Sequence, residues 1–392
     1  MSLKTLARAW NHFFFEPESP VPIAVFRIAF SLVLLVDAFL LRPDWLTWYG
    51  PRGLVSLQTM QQMEGGTRIN LFAVFPQTEF WANAIFWALV ASAVLLGLGL
   101  FTRAASIAVF LLVASIQQRN LFITNGGDTL LRVTSFFLMF APAGAALSID
   151  RLRKVWQGRE GAEIRPRAPW AQRMIQIELC LLYFMTFWNK TQGPAWIDGT
   201  ALYYVNHLAQ FHRFPMPAFM QDLFMVRLET WFTLAAEFSL GVLVWFKELR
   251  YPILLAGVVL HLSLEYSLNV PMFQWTALAL YLTFIEGDDM AAAWAWVRRR
   301  VAVRLPERVL VGYDPGRMPA RRAAAVLETL DIFDRLRLVD RREEAATAAV
   351  RLNRPGQIPR IALALWGVAG LAGSAKTPQS ASIDPVSARS RV

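Results

Sequence analysis

In the stretch FMTFWNKTQGPAWIDGTALYY, residues 184–204, one lysine closes an aromatic apolar run just before a glycine-punctuated turn. An amine at that position, Lys190, has two uses. It can carry its charge to a lipid headgroup on a flexible apolar stem. It can instead act as a base, if neighbours such as Phe184, Phe187 and Trp188 disfavour its ammonium form and lower its pKa. Trp196, Asp198 and Gly199 follow in the turn that would close over it.

Further ionisable groups interrupt the apolar segments, where they are costly and raise functional hypotheses by default. Glu229 and Glu237 lie on one segment, His261 and Glu265 on the next. Residues four apart share a helix face, so His261 and Glu265 are expected to point the same way. If the two helices run antiparallel, Glu237 comes near the depth of His261. Carboxylates with a histidine can hold a hard metal or relay protons. A carboxylate metal site in a bundle repeats a Glu-x-x-His spacing, which is absent here, so no metal site is assigned. A hydrogen-bonded polar core and a ligand site stay open. The segment TNGGDTLLR, residues 124–132, offers a tight turn with positive φ, a helix cap in Asp128 and an i,i+4 pair in Asp128 and Arg132. It is a turn and cap, or a share of an outer pocket; it matches neither GxGxxG nor GxxxxGK[ST]. Arg27 and Asp37 sit too far apart in the first segment to pair within a turn, so each needs a partner elsewhere or an interface.

The elements that position these groups follow from composition. The 392 residues are 55% hydrophobic and only 17% charged, against about 25% charge in a soluble domain. Several windows reach the roughly 20 apolar residues that a spanning helix needs. The expectation is an all-α integral membrane protein with a bundle of eight spans: 21–41, 80–100, 104–123, 129–149, 171–190, 228–246, 251–269 and 271–286. Residues 1–20 form an N-terminal segment. The net charge of +10 is concentrated in connections between spans and in the C-terminal region. That pattern controls topology, and nucleic-acid binding is not expected. Arg151, Arg153, Lys154 and their neighbours, Arg103, Lys247 with Arg250, and Arg298–Arg300 all fall on one side, which predicts cytoplasmic termini in a bacterial inner membrane. Cys180 is the only cysteine, so neither an intrachain disulfide nor a thiolate metal cluster is possible.

After the bundle, residues 287–307 read as an interfacial basic helix with tryptophan anchors. Residues 308–353 read as a small cytoplasmic βαβ unit, from RVLVGYD, PARRAAAVLETLDIF and LRLVD. The end, 354–392, is of low complexity, and its apolar run at 361–373 is too short to span.

Four segments resemble the horizontally transferred transmembrane (HTTM) domain family, related to the membrane part of vitamin K-dependent gamma-carboxylase. They are FRIAFSLVLLVDAFLLRPDWLTWYGPRGLV, RNLFITNGGDTLLR, IQIELCLLYFMTFWNKTQGPAWIDGTALYY and LHLSLEYSLNVPMFQWTALALYLTF. The third is the most specific, with Lys190, Trp196, Asp198 and Gly199 in family order. The resemblance implies a lipophilic substrate such as a reduced, vitamin K-like quinone, with Lys190 as the base. Trp196, Asp198 and Gly199 of the third segment join Asp128, Arg132, His261, Glu265 and Glu237 as candidates for a binding site. The chain departs from the carboxylase in lacking its large lumenal domain and its histidine between spans three and four. The βαβ unit resembles the start of DCC-type thiol-disulfide oxidoreductase-like domains, but Arg317 and Ala320 stand where the cysteines would be, so thiol exchange is not expected. Besides a carboxylase-like enzyme, the sequence allows a non-catalytic membrane binding or assembly protein, or a transporter.

Overall fold

A computed structural model describes residues 2–64, 70–304, 308–340 and 350–351. Two units separate: Met1–Lys154 with Glu163–Ala292, and Val155–Ala162 with Ala293–Val392. The predicted low-complexity end at 354–392 lies outside the described residues.

The first unit is helical. Its longer helices are α1 (Leu3–Phe15), α2 (Val21–Leu41), α3 (Glu79–Leu98), α4 (Thr102–Arg119), α5 (Gly126–Leu138), α6 (Ile149–Trp156), α7 (Trp170–Thr191), α8 (Leu223–Val242), α9 (Lys247–Ser267) and α10 (Phe273–Tyr281). α11 (Gly287–Arg304) leads into the second unit. Short helices at Trp45–Tyr49, Pro194–Ile197 and Ala201–Asn206 lie in the connections. Local chemistry sets several ends. Ser2 caps α1 by accepting from the Thr5 amide, and Pro22 begins α2, where a missing N–H costs nothing. α1 gives structure to the N-terminal segment. Phe13 lies under the Arg173 guanidinium at 5.1 Å and accepts a hydrogen bond from it at 3.2 Å through its carbonyl.

Among the described residues, α2 and α3 are the two helices long and apolar enough to cross a membrane by length and composition. They enclose the core, in which Ile23, Phe26, Phe30, Phe86 and Leu96 are almost fully buried. Other long helices carry polar groups inward: on α4, Ser106, Ser115, Gln117, Gln118 and Arg119 are all buried.

The expected spans four and eight are shorter as helices than their hydropathy suggests. α5 has 13 residues, about 20 Å of rise, where roughly 30 Å of hydrocarbon must be crossed. It stops at Leu138, and the turns through Pro142 that follow aim their carbonyls at Arg27. That guanidinium is fully buried and donates to the carbonyls of Ala143 and Leu147 at 2.6 Å and of Gly97 at 3.3 Å. α10 has nine residues, extended by a 3-10 turn at Leu282–Phe284. The glycines of TNGGD do not use positive φ; they open α5 beneath a capping box in which Asp128 accepts from the Asn125 amide at 2.7 Å. At the other end of α4, Asp150 accepts from the amides of Phe101 (2.9 Å) and Thr102 (2.7 Å) and from the Thr102 hydroxyl (2.8 Å). Burial pushes the Asp150 carboxyl up, but these donors and Arg153 outweigh it and hold it below the usual carboxylate range.

In the second unit a parallel sheet of order β2-β1-β3 is built from β1 (Val309–Tyr313), β2 (Leu336–Asp340) and β3 (Val350–Arg351). Val309 aligns with Leu336 and Tyr313 with Asp340. The helix α12 (Met318–Leu330) joins β1 to β2, and Val311, Ala324 and Val339 form the interior. Trp294 and Arg298 of α11 both donate to the Ile332 carbonyl, at 2.7 and 2.8 Å. Part of the expected interfacial helix is therefore spent on protein contact, while Trp296 stays half exposed beneath Arg300.

Candidate functional site

Lys190 lies in the last turn of α7, and its Nζ forms an ion pair with Glu237 Oε1 on α8. Its charge also stands 4.8 Å from the ring centre of Trp196, which the helix Pro194–Ile197 folds back over it. The lysine side chain is 25% exposed and that of Glu237 9%. The expected cage of aromatic residues is not there. Phe184 and Trp188 are exposed, because positions six and two before Lys190 leave its helix face, and Phe187 packs on Phe238 instead. The lysine is thus held between a carboxylate and an aromatic face.

Behind this pair lies a buried polar chain. The Tyr183 hydroxyl bonds to Nε2 of His261 and, at 2.7 Å, to the Tyr281 hydroxyl; Nδ1 of His261 meets Gln274 Oε1. Since that amide oxygen only accepts, Nδ1 carries the proton and Nε2 accepts from Tyr183. All four side chains are at most 5% exposed. Gly257 makes room for the chain, because a Cβ there would lie 2.4 Å from the Tyr281 hydroxyl. Tyr183, Gln274 and Tyr281 were not among the sequence candidates. Tyr183 precedes Lys190 by seven residues, two helical turns, and that shared face was a readable signal.

Glu237 and His261 are thus brought close to Lys190, and the other candidates are not. Glu265 does not share the site of His261: it pairs with Arg213 of the preceding loop, one turn nearer the helix end. Asp198 turns away to accept from the Thr200 amide (2.9 Å) and hydroxyl (2.6 Å), bonds that hold its carboxyl below the usual range. Gly199 has φ +84°, and a Cβ would meet Arg227 Cγ at 2.7 Å and the Trp231 ring at 3.1 Å, so it lets the turn press on α8. Asp128 lines a separate cavity between α2, α4 and α5, with Arg132 one turn further along α5. Among the described residues no group of three or more His, Cys, Asp or Glu side chains could hold a metal ion. Two buried carboxylate oxygens, Glu237 Oε2 and Glu229 Oε1, have no hydrogen-bond partner.

Comparison with known proteins adds the relationship. The chain is 23% identical over 244 residues to the "Uncharacterized protein YitO" of Bacillus subtilis (strain 168), covering 59% of this chain and 76% of that one. No solved structure matches. The model of the HTTM domain matches residues 15–288, which include α2 to α10 and both halves of the Lys190–Glu237 pair. The protein belongs to the HTTM domain family and is a membrane protein.

Proposed function

We propose that Lys190 and Glu237 form an outward-facing acid–base site for a lipophilic hydroxylic molecule, in a multi-pass protein of the bacterial inner membrane. The carboxylase-like resemblance implies a reduced quinone as its class. The basic connections support eight membrane-embedded segments with cytoplasmic termini, α5 and α10 being partial crossings completed by turns. One observation carries the site: Glu237 Oε2 is buried beside the ion pair and accepts no hydrogen bond. An acceptor of that kind fits a hydroxyl donor.

A bound reduced quinone would supply an ionisable hydroxyl. The chain's own groups would handle its proton. Separated charges are costly in a low-dielectric setting, so a proton can pass from Lys190 Nζ to Glu237 and leave a neutral pair. The free amine is then the base, and Glu237 keeps the first proton. Tyr183, His261 and Tyr281 offer a hydrogen-bonded path behind it, with Gln274 fixing the ring.

Lys190→Arg tests this, because a guanidinium keeps the charge and the pair but does not act as a base. The variant should express and fold normally, and should retain any quinone-class lipid that mass spectrometry finds with the wild type. Its quinol-dependent turnover should fall by about 100-fold or more, the usual contribution of a positioned base. Full turnover in Lys190→Arg would leave a structural anchor in a non-catalytic membrane protein. The ion pair itself favours that second reading, since it stabilises the charged lysine.

A further inference from the structure

The helix α2 carries a carboxylate that the site around Lys190 does not use. Asp37, near the end of α2, makes no hydrogen bond or ion pair with the described residues, and its charged neighbour is a second carboxylate, Asp128. Both line a cavity of about 190 Å³ walled by α2, the helix Trp45–Tyr49, α4, the cap of α5 and Met272. A second observation is independent of the two acids. Tyr49 is only 4% exposed, lines the same cavity, and its hydroxyl has no hydrogen-bond partner among the described residues.

We infer that this cavity binds a small organic ammonium ion. The charged side chains that line it are both carboxylates, Asp37 and Asp128. Gln117 spends one amide N–H on the Asp128 carbonyl at 2.6 Å and keeps its oxygen as an acceptor. Arg119 spends its terminal nitrogens on the carbonyls of Val55 (2.9 Å) and Gly50 (3.0 Å). Arg132 lies one turn from Asp128 and offsets that carboxylate. Asp37 has no such cation. A carboxylate in an apolar-walled space is costly without a partner, so the occupant that lowers the energy is a cationic donor. A hard metal ion would want six or more oxygens, whereas much of the wall is apolar, with Leu34, Trp45, Trp48 and Leu89 among it. Those walls suit an alkyl body, and the indole faces attract a cation. The volume equals roughly six waters' share of liquid, the size of an ammonium with a few carbons. This inference is independent of the quinol reading.

The test is calorimetric titration of the purified full chain in detergent with n-butylammonium and with 1-butanol, which has the same body without the charge. Butylammonium should bind saturably and at least tenfold more tightly than butanol. Asp37→Asn should weaken butylammonium at least tenfold and leave butanol unchanged, and Tyr49→Phe should weaken it less. Equal affinity for the two probes, no saturable binding, or an unaffected Asp37→Asn variant would overturn the assignment. If Asp37→Asn fails to fold, the comparison of the two probes on the wild type still decides.

Discussion

Replacing Lys190 by alanine should expose how the ion pair is built. The change strands the Glu237 carboxylate, 9% exposed, without a counter-charge. Removing one partner of a buried pair costs about 3–5 kcal/mol, whereas exposed pairs are worth about 0–1 kcal/mol. Lys190 keeps 25% of its side chain exposed, so an intermediate loss of about 2 kcal/mol is expected. At about 2–4 °C per kcal/mol for a unit of this size, Tm should fall by about 4–8 °C. The chain provides its own probe. Cys180 is the only cysteine and is 6% exposed, with its Sγ against the Leu240 carbonyl at 3.4 Å. A thiol-reactive fluorogenic dye therefore reports unfolding of the bundle directly.

The sign of the asymmetry is the sharper part of the forecast. Glu237→Gln should cost less than Lys190→Ala, because a released lysine can reach water on its stem while a released glutamate cannot. The double change Lys190→Met with Glu237→Leu should recover most of the loss, since apolar replacement of a buried pair is often neutral or stabilising. A Lys190→Ala shift below about 1 °C, or a double variant no better than Lys190→Ala alone, would refute a desolvated pair at this site.

Gly199→Val should lower Tm by several degrees, because it places a branched side chain at φ +84° and against Arg227 and Trp231; dye melting reads it, and an unchanged Tm would count against the close packing. Asp150 gives a pH signature. Its folded pKa is depressed, so the stability it contributes is present above its unfolded value of about 4 and lost as pH falls through the folded value. The Tm difference between wild type and Asp150→Asn should therefore shrink below about pH 4; a constant difference would refute the link. For topology, Ser56→Cys in a Cys180→Ala background should react with an impermeant thiol reagent on intact spheroplasts, and labelling only after lysis would reverse the orientation.

Helical class and most helix positions could be read from hydropathy, because a segment such as α2 is apolar all round and needs no partner to be recognised. The lengths of α5 and α10 could not. Hydropathy treats residues 139–148 like the helix before them, and only the arrival of Arg27 from α2 gives their turned-out carbonyls a donor. The pairing of Lys190 with Glu237 was half readable. Both stood out as charges in apolar runs, but their contact depends on how α7 and α8 pack. Glu265 misled for a related reason. Periodicity puts it on the face of His261, yet a face says nothing of the loop that reaches its far end, and Arg213 sits there. Tyr281 was hidden because tyrosine in an apolar helix reads as ordinary core or interface, and Tyr183 was signalled only by the face it shares with Lys190.

The buried polar groups of the bundle differ in how completely the chain satisfies them, and that difference separates architecture from chemistry. Both terminal nitrogens of Arg27 meet carbonyls, and the Asp150 carboxylate collects three donors, so these groups close gaps left by helix ends. Of the Arg27 nitrogens only Nε, a donor, is left without a partner. Glu237 Oε2 and the Asp37 carboxylate are acceptors with capacity to spare in places where spare capacity is costly. Thr134 donates to Glu178 at 3.2 Å, tying the middle of α5 to the middle of α7. Phe140, just past α5, packs on Trp170 at the start of α7, so the two helices run antiparallel and the start of α5, with Asp128, lies at the same end of the bundle as the end of α7, with Lys190. Asp37 shares the cavity of Asp128, and Glu237 pairs with Lys190, so both open acceptors lie toward that end, while Arg27 binds the carbonyls that follow α5 at the opposite end.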